Sequence, residues 1–323
     1  MRTINKPNLA HRPHFVTFAA ETLKMMKLLT SENWKDYELI DCGDFEKLER
    51  FGEYVLIRPE PQAIWSRKLK AAEWEKMAHA RFVRDIKGSN RFGENENGGW
   101  TFLKKMPQTW QISYQNIDFQ LKIKLSLTSF GHIGVFPEQA QNWDFIYNST
   151  KEIIDLKPRI LNLFAYTGVA SLAARAAGGD VTHLDSVKQV VRWGSENMQL
   201  SNLADIHWVV EDALKFVTRE VKRGKTYHGI IMDPPAYGRG PAGERWRIAD
   251  SLNEIVNLSS KLLEPKHSFF VLSLYSMGFS ALIGRNITES CYPGVEKDFG
   301  ELFIQSKGNV SLPLGTYLRF KKA

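Results

Sequence analysis

The stretch that most constrains the fold is residues 158–185, PRILNLFAYTGVASLAARAAGGDVTHLD. Ile160, Leu161, Leu163 and Phe164 crowd into one short apolar run, the pattern of a parallel strand covered on both faces. A turn over 165–168 follows. Beyond Gly168 come Val169, Ala170, Leu172, Ala173, Ala174, Ala176 and Ala177, small and mostly strong helix formers, so a helix there packs closely onto a sheet. Gly178 and Gly179 stop it. Residues 181–185 then form a second strand that ends on the carboxylate of Asp185. In doubly wound folds an acid at this edge holds a ribose by accepting its hydroxyl hydrogens. An aspartate before Val187 also serves as a helix cap, and this stretch alone leaves both roles open.

The glycine pattern narrows the ligand. A dinucleotide site needs G-x-G-x-x-G so that a pyrophosphate can approach the backbone, whereas this turn has a single Gly168 flanked by bulky Phe164 and Tyr166. The P-loop pattern G-x-x-x-x-G-K-[ST] is absent. A ligand with a ribose and no phosphate fits better, and S-adenosylmethionine is of that kind.

With 323 residues and 43% hydrophobic content, the chain is long enough for two domains with sizeable cores. Its two cysteines, Cys42 and Cys291, form neither a disulfide framework nor a zinc site, and suit a reducing cytoplasm. No apolar run approaches the roughly 18 residues a membrane helix requires. Without a signal-peptide core, the sequons at Asn148 and Asn286 read as chance. The net charge of +7 suits a polyanionic partner. Residues 1–26 carry Arg2, Lys6, Arg12 and Lys24 without periodicity and read as a targeting segment or an upstream start before Met25 and Met26, peripheral and mobile.

Residues 37–65 turn β-like, with YELIDCG, KLERFG and YVLIRP as short strands punctuated by Gly43, Gly52 and Pro59. Residues 71–84 read as a helix, followed by a Gly/Asn-rich loop over 87–99. Farther on, Phe119, Leu121, Ile123, Leu125 and Leu127 alternate with Gln120, Lys122, Lys124 and Ser126, a strand with one dry face. Between 58 and 91, Arg58, Arg67, Lys68, Lys70, Lys76, Arg81, Arg84, Lys87 and Arg91 interleave with Trp65, Trp74 and Phe82. Such a run suits single-stranded nucleic acid, or equally a solvated face whose aromatics turn inward.

The second half alternates strands and helices. Strands are expected over 206–210, 228–232 and 268–273, and helices over 187–200, 214–222, 248–262 and 277–287. A closing hairpin joins 301–306 and 315–320. This order implies a parallel sheet with right-handed crossovers. Strand four runs into Asp233-Pro234-Pro235-Ala236-Tyr237-Gly238. Two prolines remove two N–H donors and fix the backbone, presenting their carbonyls and the Asp233 carboxylate as rigid acceptors. Such acceptors can hold an amine or orient a ring nitrogen toward a methyl donor, with an aromatic to stack a flipped base.

These motifs make residues 158–275 resemble the class I S-adenosylmethionine-dependent methyltransferases, and among them the bacterial large-subunit ribosomal RNA group that includes the 5-methylcytosine and 7-methylguanine enzymes. The resemblance is carried by LNLFAYTG (161–168), Asp185-Ser186, ENMQLSNL (196–203), Asp212 and DPPAY (233–237). Residues 36–136 resemble the group's β-rich middle domain, and GHIGVFPEQ (131–139) its segment that covers the cofactor. The resemblance implies that Phe164, Ala165, Tyr166, Thr167 and Gly168 hold the methionine end, with Gln139 nearby. Asp185 with Ser186 would hold the ribose and Asp212 the adenine amine. Asp233, Pro234 and Tyr237 would face the substrate as the catalytic group, with Asp233 also bordering the cofactor. After strand five, where the 5-methylcytosine members carry a nucleophilic Cys, this chain has SLYSMG, with Tyr275 near that position. Carbon-5 methylation needs a thiolate to add to the ring, so a nitrogen acceptor is expected instead. DPPAY sets its aromatic one place later than the adenine and glutamine amino-methyltransferases do, and residues 1–35 are too short for the RNA-binding domain that begins several relatives.

The expected architecture is α/β: a doubly wound, Rossmann-like methyltransferase sheet with a closing antiparallel hairpin over 137–323. A small β-rich α+β domain over 36–136 and a mobile extension over 1–35 precede it. The expected function is cytoplasmic, S-adenosylmethionine-dependent methylation of a nucleobase nitrogen in ribosomal RNA, with no metal and no membrane. The alternatives are transfer to a protein or small molecule, and a nucleic-acid-binding module on a vestigial methyltransferase fold.

Overall fold

The computed structural model describes residues 26–31, 34–84, 98–275 and 278–323. The chain opens with β1 (Lys27–Thr30), β2 (Tyr37–Gly43), β3 (Glu46–Phe51), β4 (Tyr54–Pro59), α1 (Ala71–Met77), β5 (Ala80–Arg84) and β6 (Gly98–Phe102). A hairpin of β7 (Thr109–Gln115) and β8 (Gln120–Ser126) leads to α2 (Ala140–Glu152). The alternating half runs β9 (Arg159–Leu163), α3 (Val169–Ala176), β10 (Asp180–Asp185), α4 (Lys188–Leu200), β11 (Ile206–Val210), α5 (Ala213–Lys222) and β12 (Gly229–Met232). It closes with β13 (Tyr237–Arg239), β14 (Arg245–Arg247), α6 (Ile248–Ser260), β15 (Ser268–Leu274), α7 (Ala281–Cys291), β16 (Asp298–Gln305) and β17 (Ser311–Lys322).

The large sheet has the order β1-β16-β17-β15-β12-β9-β10-β11. β9, β10, β11, β12 and β15 are mutually parallel, while β17 runs antiparallel to both β15 and β16. The chain winds outward from β9 to β11 and returns on the other side of β9 at β12, so the winding reverses between β9 and β12. A crevice outside the carboxyl ends of the strands at such a reversal is where open α/β sheets bind ligands.

Both faces of this sheet are dry. Ile160, Val181, Ile231 and Val271 pack under α2 and α3, while Leu161, Leu163, Ile230, Met232 and Leu272 pack under α5, α6 and α7. Each such side chain, fully buried, contributes about 1.5–3 kcal/mol. That two-sided burial is why the strands read as continuous apolar runs.

Residues 37–102 form a separate five-stranded sheet of order β2-β3-β4-β5-β6. The expected helix over 71–84 holds only to Met77. Ala78 is extended, and His79 pairs with β4 through its backbone N–H to the Val55 carbonyl (2.7 Å) and its Nδ1 from the Val55 N–H (3.1 Å). The residues beyond it continue as strand. Trp74, Ala78 and Phe82 sit at helical spacing, but Ala80 and Phe82 are buried by strand alternation instead.

Part of the basic stretch is likewise structural, while Lys70 and Lys76 are exposed. Trp74 and Phe82 are core, and Trp65 donates Nε1–H to the Cys42 carbonyl (2.9 Å). Arg58 is buried against Glu49 (2.7 Å), Arg67 pairs with Asp44 (2.8 Å) over the Trp74 ring, and Lys68 is held by the Gly308 carbonyl. Lys87 and Arg91 lie outside the described residues.

The β7–β8 hairpin packs on the alternating half. The Lys124 N–H donates to Asn197 Oδ1 (2.8 Å), Trp193 Nε1–H to the Lys124 carbonyl (2.9 Å), and Tyr114 O–H to Asp144 (2.9 Å). One hydrophobic cluster runs from Tyr37 and Phe51 through Tyr114 and Trp143 to Ile160 and Leu172, joining residues on both sides of position 136.

Part of the expected mobile extension is ordered, since β1 adds a parallel edge strand to β16. A glycine permits this approach: a Cβ at Gly300 would lie 1.8 Å from the Lys27 carbonyl oxygen. Gly300→Ala is expected to unseat β1 at a cost of about 1–2 kcal/mol. Hydrogen exchange should show lost protection at Leu28 and Leu29 with β15 unchanged; an unaltered pattern would contradict this account.

Candidate active site

The turn after β9 is strained. Phe164 (φ 55°), Tyr166 (φ 50°) and Gly168 (φ 89°) are all left-handed, which costs the two aromatic residues about 1 kcal/mol or more each. Neighbouring elements hold the shape. The Ala165 N–H donates to the Leu184 carbonyl (3.0 Å), Thr167 Oγ1–H to the Gly134 carbonyl (2.7 Å), and Asn197 Nδ2–H to the Thr167 carbonyl (3.0 Å). Gly168 could not be replaced freely: a Cβ there would sit 3.3 Å from the His183 ring in a conformation L residues avoid. His183 is fully enclosed and bonded through Nδ1 to Ser171 Oγ (3.0 Å), and burial keeps it neutral with its pKa down to about 3.

Phe164, Ala165, Tyr166, Thr167 and Gly168 line a cleft together with Gln139, Asn142, Asp233 and Ser273. Gln139 Oε1 accepts from Asn142 Nδ2 (2.9 Å) and Ser273 Oγ (3.0 Å), so the amide nitrogen is the end with hydrogens to offer.

Asp185 ends β10 outside this cleft's lining. Its Oδ2 accepts the Tyr166 N–H (3.0 Å) and its Oδ1 the Val187 N–H (3.0 Å). The carboxylate therefore fastens the strained turn to β10, and burial raises its pKa although these N–H groups oppose the shift. Ser186 lies beside it, half-buried. Asp212 caps α5, accepting the Lys215 N–H at 2.9 Å, and borders a second groove with Lys215, Glu244 and Trp246.

Asp233 follows β12 directly. It keeps some solvent access, yet loss of hydration pushes its carboxyl up to about 6. Sequence reasoning missed its neighbour Glu138, which is 5% exposed. Burial chiefly pushes Glu138 up to about 7, with Lys47 opposing and Asp233 and Glu49 adding to the rise. The site thus holds two carboxyl groups whose charges interact. Glu138 stands one residue before Gln139 in GHIGVFPEQ, but nothing in the spacing shows that it is buried.

The proline motif differs from expectation in two ways. The Pro235 carbonyl, expected to be open, accepts Trp246 Nε1–H (2.7 Å), and Trp246 packs on Phe164 at 4.7 Å. Tyr237 does not line the cleft; it starts β13, is 54% exposed, and lies beside the Arg247 guanidinium (5.9 Å). Pro234 is buried between Asp233 and this hairpin.

No family model matches the chain. A crystal structure of a SAM-dependent methyltransferase from Agrobacterium tumefaciens aligns with a TM-score of 0.82 and 35% identity, covering 91% of this chain and 93% of that one. The chain belongs to the S-adenosylmethionine-dependent methyltransferases. Among curated proteins, this methyltransferase is 26% identical over 306 residues to a ribosomal RNA large subunit methyltransferase K/L from Shewanella frigidimarina, covering 87% of this chain and 41% of that relative. It is 31% identical over 123 residues to the corresponding protein of Pseudoalteromonas translucida, covering 37% of this chain and 16% of the relative. The chain spans well under half the length of these curated relatives. The residues fit the family's cofactor, with an amide at Gln139, a tight turn around Gly168 after β9, and carboxylates at or just after the ends of β10, β11 and β12 at one sheet edge. Among the described residues no helix is long and apolar enough to cross a membrane.

Asp185→Ala should leave two backbone N–H groups without their acceptor, weakening cofactor binding by about 1–2 kcal/mol and lowering stability, whereas Asp185→Asn retains an acceptor and loses less. Titration with S-adenosylhomocysteine and thermal melts separate the two effects. Asp233 has a folded pKa above the unfolded value, so the folded state binds its proton more tightly and ionisation destabilises the fold. Asp233→Asn should therefore gain about 1–2 kcal/mol over wild type at pH 8, and the gain should vanish toward pH 4. A pH-independent difference would exclude this.

Proposed function

We propose that this methyltransferase acts on a nitrogen of a nucleobase in RNA, with ribosomal RNA as the substrate class. The observation that carries the reading is the placement of Asp233, which lines the same cleft as the Gly168 turn at the reversal between β9 and β12, with its charge adding to the rise at the buried Glu138. The names of the curated relatives support ribosomal RNA.

In this reading Gln139 and residues Phe164, Ala165, Tyr166, Thr167 and Gly168 receive the methionine end. Asp185 uses lone pairs left over from its backbone bonds for the ribose, with Ser186 adjacent. Asp212 offers its free oxygen toward the adenine amine. S-adenosylmethionine supplies an electrophilic methyl group on a sulfonium. The protein's own part is to present a nitrogen lone pair in line with it and to exclude water. The Asp233 carboxylate accepts an N–H of the base and orients the lone pair, and Pro234 keeps that carboxylate from turning away. Glu138, nearest neutrality of the two, is placed to take up the proton a secondary or aromatic nitrogen releases. Tyr237 stacks on the acceptor strand from outside the cleft. Residues 36–136 would form the approach for RNA and 137–323 the transfer unit, at work in the cytoplasm.

Because Glu138 and Asp233 must both be ionised, transfer should fall as pH drops through about 7 and further through about 6. Asp233→Asn should keep S-adenosylhomocysteine affinity within a few-fold and lose transfer by two or more orders of magnitude, roughly the scale of acid–base contributions. The deciding experiment is tritiated-methyl transfer to total RNA and to total protein from the same bacterial cells. Label in RNA supports the reading, and label confined to protein overturns it.

A further inference from the structure

The β13–β14 hairpin presents a second, unassigned surface. Its strands pair in the register Tyr237 with Arg247, Gly238 with Trp246 and Arg239 with Arg245. Strand alternation therefore splits the hairpin into two faces. Trp246, 6% exposed, points inward and is fixed by the Pro235 carbonyl and the Phe164 ring. Tyr237, Arg239, Arg245 and Arg247 share the other face, and all four are exposed.

Arg239 and Arg245 stand directly opposite each other, and like charges in that position destabilise a strand pair. Among the described residues no carboxylate pairs with either of them. Glu244, next to Arg245, is already committed to Lys215 and to the Ala242 N–H, and Arg247 has Asp250 at 3.6 Å. The hairpin is otherwise rigid, since the Ile248 N–H also donates to the Ala236 carbonyl (3.0 Å). A pair of unmatched guanidinium groups on opposite strands, two residues along from an exposed tyrosine, lacks an anion of its own. Two planar forks facing each other suit the oxygens of one phosphate. In the larger basic stretch, by contrast, Arg58, Arg67 and Lys68 are bound to partners within the protein.

We propose that Arg239 and Arg245 clamp one backbone phosphate of the acceptor RNA strand, beside the base that stacks on Tyr237, so that the hairpin sets which nucleotide reaches Asp233. This rests on the RNA reading above. A phosphate gripped there gives affinity without sequence preference, while the distance from the clamp to the cleft selects the nucleotide.

The test compares wild type, Arg239→Ala/Arg245→Ala and Arg239→Lys/Arg245→Lys. Anisotropy of a fluorescein-labelled single-stranded oligoribonucleotide of mixed sequence is followed as salt is raised, with S-adenosylhomocysteine titration in parallel. The alanine pair should bind the oligonucleotide about tenfold more weakly, with a log–log salt slope shallower by about 0.7 for the phosphate lost. The lysine pair should recover the slope and only part of the affinity. S-adenosylhomocysteine binding should be the same in all three. Wild-type affinity and slope in the alanine pair, with wild type still binding and labelling RNA, would overturn the clamp and leave the proposed function standing. Loss of S-adenosylhomocysteine binding in the alanine pair, with the lysine pair no better at RNA binding, would also overturn it. Wild type that neither binds nor labels RNA would remove both.

Discussion

The site depends on one carboxylate. Asp185 draws the N–H groups of Tyr166 and Val187 together from two connections, the turn after β9 and the turn after β10. The backbone between Phe164 and Gly168 would otherwise relax out of its left-handed conformations, because aromatic residues do not hold them unaided. Supports from β10, α4 and the 131–139 segment converge on this turn, and each arises from an element buried for its own reasons. The turn is thereby held by ordinary packing, and its left-handed residues line the cleft.

The small sheet takes part in the same arrangement. Arg58 bridges Glu49 and the Gly131 carbonyl, and Lys47 lies near Glu49 and Glu60. Buried charges of this kind persist only when matched. Here they seat the five-stranded sheet against the segment that carries Glu138. The environment of that acid is therefore set by both halves of the chain, with Lys47 from one and Asp233 from the other. A transfer unit cut away at residue 136 would lose those matched charges.

Much of the large sheet was legible because β9, β10, β12 and β15 are covered on both faces and so appear as unbroken apolar runs. Gly168, Asp185, Asp212 and Asp233 stand out in the sequence for a related reason, since each lies at the end of a strand or in the turn that follows it. What could not be read depends on distant partners. Arg67 resembles a free surface cation until Asp44 and Glu46 arrive from another strand. The interval from Trp74 to Phe82 satisfies helix and strand spacing alike, and only the pairing of His79 with Val55 decides between them. The β13–β14 hairpin was invisible because its one apolar residue, Trp246, is buried through a hydrogen bond to Pro235. Tyr237, expected on motif grounds to face the substrate, starts β13 and lies outside the cleft's lining.

The edge strand β1 has a kinetic side. Its partner β16 lies at the other end of the chain, as does β17, which separates β16 from β15. During synthesis Lys27–Thr30 therefore waits, unpaired, until nearly the whole polypeptide has emerged. Loop closure over such a span is slow, and an apolar Leu28-Leu29 pair is exposed in the meantime. The completed sheet records the order of its own assembly, with β1 made ahead of every other described strand and seated among the last.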